Sequence, residues 1–142
     1  MNNQSNVKQA VPFFGVTNIA ASVCFYVDGL GFTKTKEWMP ARKLRWCWLQ
    51  HGDAALMLQE FWQGGDDHHA NVPTEKFGVG VSICFICHDA LALFHEFKAR
   101  GIAATRPFVG NGMWVTSVTD PDGYRLEFES YTDVPEETEY AG

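Results

Sequence analysis

The 142-residue sequence contains no apolar run that approaches the roughly 18 residues needed to cross a bilayer. Basic runs are equally scarce. None exceeds Arg42-Lys43, and 11 Lys and Arg stand against 17 Asp and Glu for a formal charge of −6, which argues against a nucleic-acid surface. Met1 to Gln9 is polar and has no hydrophobic signal core, so residues 1–10 read as a frayed tail of a cytoplasmic protein. Only four cysteines are present. Cys84 and Cys87 fall in a strand-like run where their spacing puts them on opposite faces, so they read as structural thiols rather than a redox pair or zinc knuckle. His51 and His88 have no identifiable Asp or Ser partner, and no catalytic triad can be argued.

What is present is ordinary globular composition, 46% hydrophobic and 20% charged, enough for one domain with a real core. The most informative stretch is Asp120-Pro121-Asp122-Gly123 followed by Tyr124 to Glu129. Proline presets φ, Asp122 can bond back to the backbone, and Gly123 supplies positive φ, so the tetrapeptide is a turn. Tyr124, Leu126 and Phe128 then alternate with Arg125, Glu127 and Glu129, which predicts a strand with one apolar and one charged face.

The rest of the chain reads as strands and two helices. Val11–Thr17 is a first strand. Asn18 caps a helix from Ile19 that ends at Gly29 and Gly31. Phe32–Met39, Arg42–Gln50 and Ala54–Phe61 are three further strands. Trp62 to Phe77 is a polar connection, either a linker or a lid. Gly78–Cys87 is the next strand, Asp89 caps a helix over Ala90–Arg100, and strands at Ala103–Val109, Met113–Thr119 and Tyr124–Tyr131 follow. Thr132–Gly142 reads as a loose acidic tail. The β-α-β-β-β order that begins at Val11 thus begins again at Gly78, and neither unit can bury its sheet alone. The expected division is one α+β domain over 11–131, with modules 11–61 and 78–131 joined by the loop 62–77.

Each sheet is expected to have two unlike faces. Phe14, Val16, Leu56, Leu58, Val79, Val81, Ile83, Phe85, Leu126 and Phe128 face the helices. The opposite face carries Val11, Phe13, Gly15, Ala55, Met57, Gln59, Gly80, Ser82, Cys84, Arg125, Glu127 and Glu129. Such a mixed face either lines a ligand cavity or is covered by a dimer partner.

Two motifs on this repeat, Ser22 to Phe32 and Asp120 to Glu127, together with the helix end Lys98-Ala99-Arg100-Gly101, resemble the vicinal oxygen chelate superfamily of glyoxalase I, extradiol dioxygenases and bleomycin and fosfomycin resistance proteins. The resemblance covers about residues 11–131 and implies an incomplete eight-stranded barrel, usually assembled as a homodimer with shared cavities. Metal-dependent members place one ligand on each of the first, fourth, fifth and eighth strands. The corresponding positions here are Val11, Met57, Ser82 and Glu127, with Gln59 one pleat on from Met57. Valine and methionine cannot hold a hard divalent ion and serine is a poor ligand, so no metal and no other cofactor is expected. The resemblance therefore points to the metal-free, bleomycin-resistance-like branch.

Glu127 reads either as a carboxylate that pairs with a cationic ligand group or acts as a base, or as a residue paired with Arg125, Arg106 or Arg45. Trp46, Trp48 and Trp114 read either as cavity walls that sandwich a planar ligand or cation, or as packing; Trp38 and Trp62 are expected near the cavity rims. His68 and His69 follow two aspartates in the long loop and read as a solvated pair rather than a chelating one. The expected ligand-binding set is Glu127, Trp46, Trp48, Trp114, Phe13, Met57, Gln59, Ser82 and Arg125. The expected function is sequestration of a planar or cationic aromatic small molecule by a homodimer, without nucleic acid or membrane. The alternative is a glyoxalase-type lyase or isomerase using Glu127.

Overall fold

A computed structural model describes residues 5–61 and 76–142. Its first module runs β1 (Phe13–Val16), α1 (Ile19–Val23), β2 (Thr33–Trp38), β3 (Trp46–His51) and β4 (Ala54–Glu60). The second runs β5 (Ser82–Ile86), α2 (Ala90–Ala99), β6 (Phe108–Gly110), β7 (Met113–Thr119) and β8 (Arg125–Tyr131). The strand orders are β1-β4-β3-β2 and β5-β8-β7-β6, the same topology twice. In each sheet the first and last strands pair in parallel and the rest antiparallel. The two sheets remain separate rather than closing into a barrel. Among the described residues, no helix is long and apolar enough to cross a membrane.

Both helices start as their capping residues dictate. Asn18 Oδ1 accepts from Ala21 N at 3.1 Å and Asp89 Oδ1 from Ala92 N at 3.0 Å. α1 continues as a π-helical segment over Cys24–Gly29. The helix-side faces of both sheets build one core, with Val16, Leu49, Leu56 and Leu58 of the first sheet and Leu126 and Phe128 of the second buried together around Tyr26 and Phe97.

The Asp120–Gly123 turn does more than reverse the chain. Asp120 Oδ1 accepts from Asp122 N and Tyr124 N, both at 2.9 Å, and Oδ2 accepts from the buried Tyr26 hydroxyl at 2.8 Å. Asp122 accepts from Thr17 Oγ1 at 2.6 Å, and Tyr124 Oη donates to Gly15 O at 2.8 Å while its ring stacks on Phe14 at 4.2 Å. The turn of the second module thereby clasps the first.

Several boundaries differ from the sequence expectation. β1 begins at Phe13, so Val11 precedes the strand. β3 begins at Trp46 because Pro40–Arg42 forms a 3-10 turn in which Ala41 and Arg42 take positive φ. β5 begins at Ser82, not Gly78. Gly78 and Gly80 hold φ of 72° and 81°, which strand backbone cannot accommodate, so Val79 and Val81 are 75% and 57% exposed instead of core-facing. β6 shrinks to Phe108–Gly110. The C-terminal segment is not loose. Glu137 N donates to Val109 O at 2.8 Å, Val109 N to Thr138 O at 2.9 Å and Tyr140 N to Pro107 O at 2.9 Å, which extends the sheet past its edge at β6. Trp62, His68 and His69 lie outside the described residues.

Candidate functional site

The register sorts the expected site residues, Trp114 apart, onto the two outward faces. On the first sheet Phe13, Met57, Trp48 and Lys36 form one cross-strand row, and Gly15, Gln59, Trp46 and Trp38 form the next. On the second, Ser82, Arg125 and Thr119 share a row, then Cys84, Glu127 and Ser117, then Ile86, Glu129 and Val115. Directly opposed residues lie on the same side of a sheet, so each row is a shared surface.

The first face is aromatic. Phe13 is 54% and Trp38 51% exposed, while Trp46, Trp48 and Met57 are half-buried. Lys36 Nζ sits 4.9 Å from the Trp48 ring centroid, a cation–π contact, and Trp48 Nε1 donates to Gln50 Oε1 at 2.8 Å. Phe61 lies across Gly15, where an added Cβ would come within 2.6 Å of the ring, so any larger residue there would have to displace it.

The second face is polar and acidic. Arg125 Nε donates to Glu127 Oε1 at 3.1 Å, which resolves the choice among the three arginines in favour of the nearest in sequence. Glu129, buried, accepts from the Cys84 thiol; desolvation, reinforced by that carboxylate, pushes the thiol up to about 12. Sequence reasoning placed Cys84 and Glu129 on this face but did not bring them together as a pair.

Trp114 does not join Glu127. It stands opposite Ser130 and Val109 on the helix side of the second sheet, against the Tyr140 ring at 5.8 Å. The period of two fixes this, because Thr116, two residues on, donates to Ala90 O of α2. Two histidines are likewise structural contacts: His51 packs edge-on against Phe32, and His95 bonds Tyr140 Oη at 2.9 Å.

The four positions that would hold a metal are not a donor set. Met57 stands opposite Phe13 and Glu127 opposite Cys84, while Val11 lies outside the sheet. Among the described residues no three His, Cys, Asp or Glu gather as a group that could hold an ion. The residues do not fit a hard divalent cation.

Three clefts are lined wholly by described residues. One of about 490 Å³ lies at the start of α1, where Glu60 accepts from Ile19 N at 3.0 Å and pairs with Lys43 and Arg45, each at 3.2 Å. One of about 440 Å³ lies at the head of the second sheet, beside Arg125. A third of about 70 Å³ lies between Phe32 and His51 of the first module and Phe85 and Phe128 of the second. None of the three contains Glu127, Trp46 or Trp48.

Residues 9–128 match the family model described as Glyoxalase/Bleomycin resistance protein/Dioxygenase superfamily. The chain belongs to this superfamily. Its fold is similar to that of TioX from Micromonospora sp. ML1, with a TM-score of 0.69 and 17% identity over 89% of this chain and 100% of that one. It is similar also to a bleomycin-binding protein solved in complex with bleomycin (0.66, 21%, over 89% and 100%). A third similar structure is TnmS3, an antibiotic-binding protein from Streptomyces sp. CB03234 (0.65, 16%, over 91% and 100%). No curated protein matches the sequence. At these identities the likeness establishes the fold.

Proposed function

We propose that this superfamily member is a metal-free binding protein that sequesters a planar or cationic aromatic small molecule. The observation that carries the reading is the indole-rich outward face of the first sheet, where Trp48 already holds an ammonium over its ring at 4.9 Å. Glu127, with its side chain 21% exposed, supplies negative charge on the corresponding face of the second sheet. Phe13, Met57, Gln59, Trp46 and Trp48 grip the ligand body; Ser82, Arg125 and Glu127 read its polar groups. Binding lowers the free ligand concentration and breaks no bond. A second copy of the chain completes the cavity by covering the exposed side chains on both outward faces, Phe13 and Trp38 on one, Ile86 and Tyr131 on the other. The bleomycin-binding and antibiotic-binding relatives lend support. Four free cysteines fit a reducing cytoplasm. Glu127 as the base of a glyoxalase-type reaction is less favoured, because Arg125 engages its carboxylate.

Tryptophan fluorescence titrated with bleomycin, and with an uncharged aromatic of similar size, tests the reading. Saturable quenching by the cationic compound is expected, weakened roughly tenfold in Glu127→Gln as a charge-assisted contact is lost. Absence of quenching by either compound, or one full equivalent of Zn, Ni, Mn or Fe per site in the purified protein, overturns it.

A further inference from the structure

The cleft at the head of the second sheet has a chemistry unlike the rest of this acidic chain. Its floor is the row Ser82, Arg125 and Thr119, three hydrogen-bonding side chains standing side by side across β5, β8 and β7. Lys76 stands at its edge and forms no ion pair with any described residue. Arg125 spends Nε on Glu127, while its terminal amino groups bond no described residue. Among the described residues, two cations against one partnered carboxylate leave room for a single negative charge.

The wall opposite is apolar. Gly78 takes φ of 72° and lies so close to Tyr124 that an added Cβ would meet its Cδ1 at 2.9 Å. The left-handed turns at Gly78 and Gly80 lift Val79 and Val81 out of the strand and present them at the cleft, 75% and 57% exposed. An exposed valine pair beside a matched set of cations and hydroxyls has no structural purpose in the core, which it does not touch.

We propose that this cleft binds a monocarboxylate carried on an apolar chain. The carboxylate lies between the Arg125 amino groups and the Lys76 ammonium and accepts from the Ser82 and Thr119 hydroxyls; the chain lies along Val79 and Val81. Charge-assisted bonds from arginine and lysine set the head group, and the valines favour an aliphatic body over a short acid. The cleft shares Ser82 and Arg125 with the cation-binding reading above but does not rest on it.

Calorimetric titration of the whole chain with octanoate tests this, with acetate, octyltrimethylammonium and octyl phosphate as comparators. Saturable octanoate binding is expected, with acetate much weaker. Lys76→Gln and Arg125→Gln should each weaken octanoate roughly tenfold, the loss of a hydrogen bond to a charged group. Lys76→Gln alters an exposed side chain, so it decides the matter should Arg125→Gln fail to fold. Octanoate that fails to bind, that binds Lys76→Gln as well as the parent, or that binds more weakly than the octyl cation or octyl phosphate overturns the assignment. Bleomycin quenching is expected to persist in Lys76→Gln, so failure here and failure of the sequestration reading are told apart.

Discussion

Tyr26 is completely buried, and its hydroxyl has to be bonded where it lies. Asp120 provides the acceptor, itself 4% exposed and also bound by two backbone amides. Replacing Tyr26 with phenylalanine removes one donor from a buried carboxylate. The expected loss is about 1–3 kcal/mol, read as a lower urea midpoint with unchanged slope. Burial raises the Asp120 carboxyl above its ordinary value of 3.8, against the opposing pull of its hydrogen bonds. The native state therefore holds that proton more tightly than the unfolded chain. The stabilisation from Asp120 is fully present below 3.8 and is lost as pH rises through the folded value. Stability of the parent minus that of Asp120→Asn should accordingly fall with rising pH across that window; a rise would contradict the burial argument.

At the scale of elements, the C-terminal segment changes role most. Its composition is that of a solvated tail, and nothing in its own residues says otherwise. It docks because β6 leaves an unpaired edge and because Tyr140 finds His95, Phe94 and Trp114 on the elements beside it. Tyr140→Ala removes those ring contacts, roughly 2 kcal/mol of burial and aromatic pairing. Hydrogen exchange is then expected to accelerate at the Val109, Glu137 and Tyr140 amides while the β7–β8 ladder keeps its protection. Equal protection at these amides in parent and variant would mean that the backbone bonds alone hold the segment. The fifth strand shows the converse: its alternating valines read as a longer strand, and two left-handed glycines cut it short.

At the scale of the molecule, the two modules turn their helix-side faces inward around one core, and each outward face still carries exposed apolar side chains, Phe13 and Trp38 on one and Ile86 and Tyr131 on the other. These exposed side chains are the ones a second copy would cover under the proposed function. Sedimentation should show a dimer whose dissociation Phe13→Asp promotes by orders of magnitude, since a charge would then have to be desolvated at the contact. A monomer at all concentrations would sink the shared cavity.

The repeat, the turn at Asp120 and the two faces of the first, fourth and last strands were legible in the sequence, because strand faces follow a period of two and turn chemistry is local. The Arg125–Glu127 pair was among the options the sequence offered; Glu127 was expected on the face opposite the helices and pointing into a cavity, and the register puts it on that face while none of the three clefts contains it. Only the tertiary structure decided that Trp114 stands on the other side of the sheet against Tyr140, that Cys84 bonds Glu129, and that Lys76 and the lifted valines meet the Ser82–Arg125–Thr119 row. Those juxtapositions join residues distant along the chain. They depend on where strands begin and on which edges remain open, and these are settled by packing rather than by any local pattern.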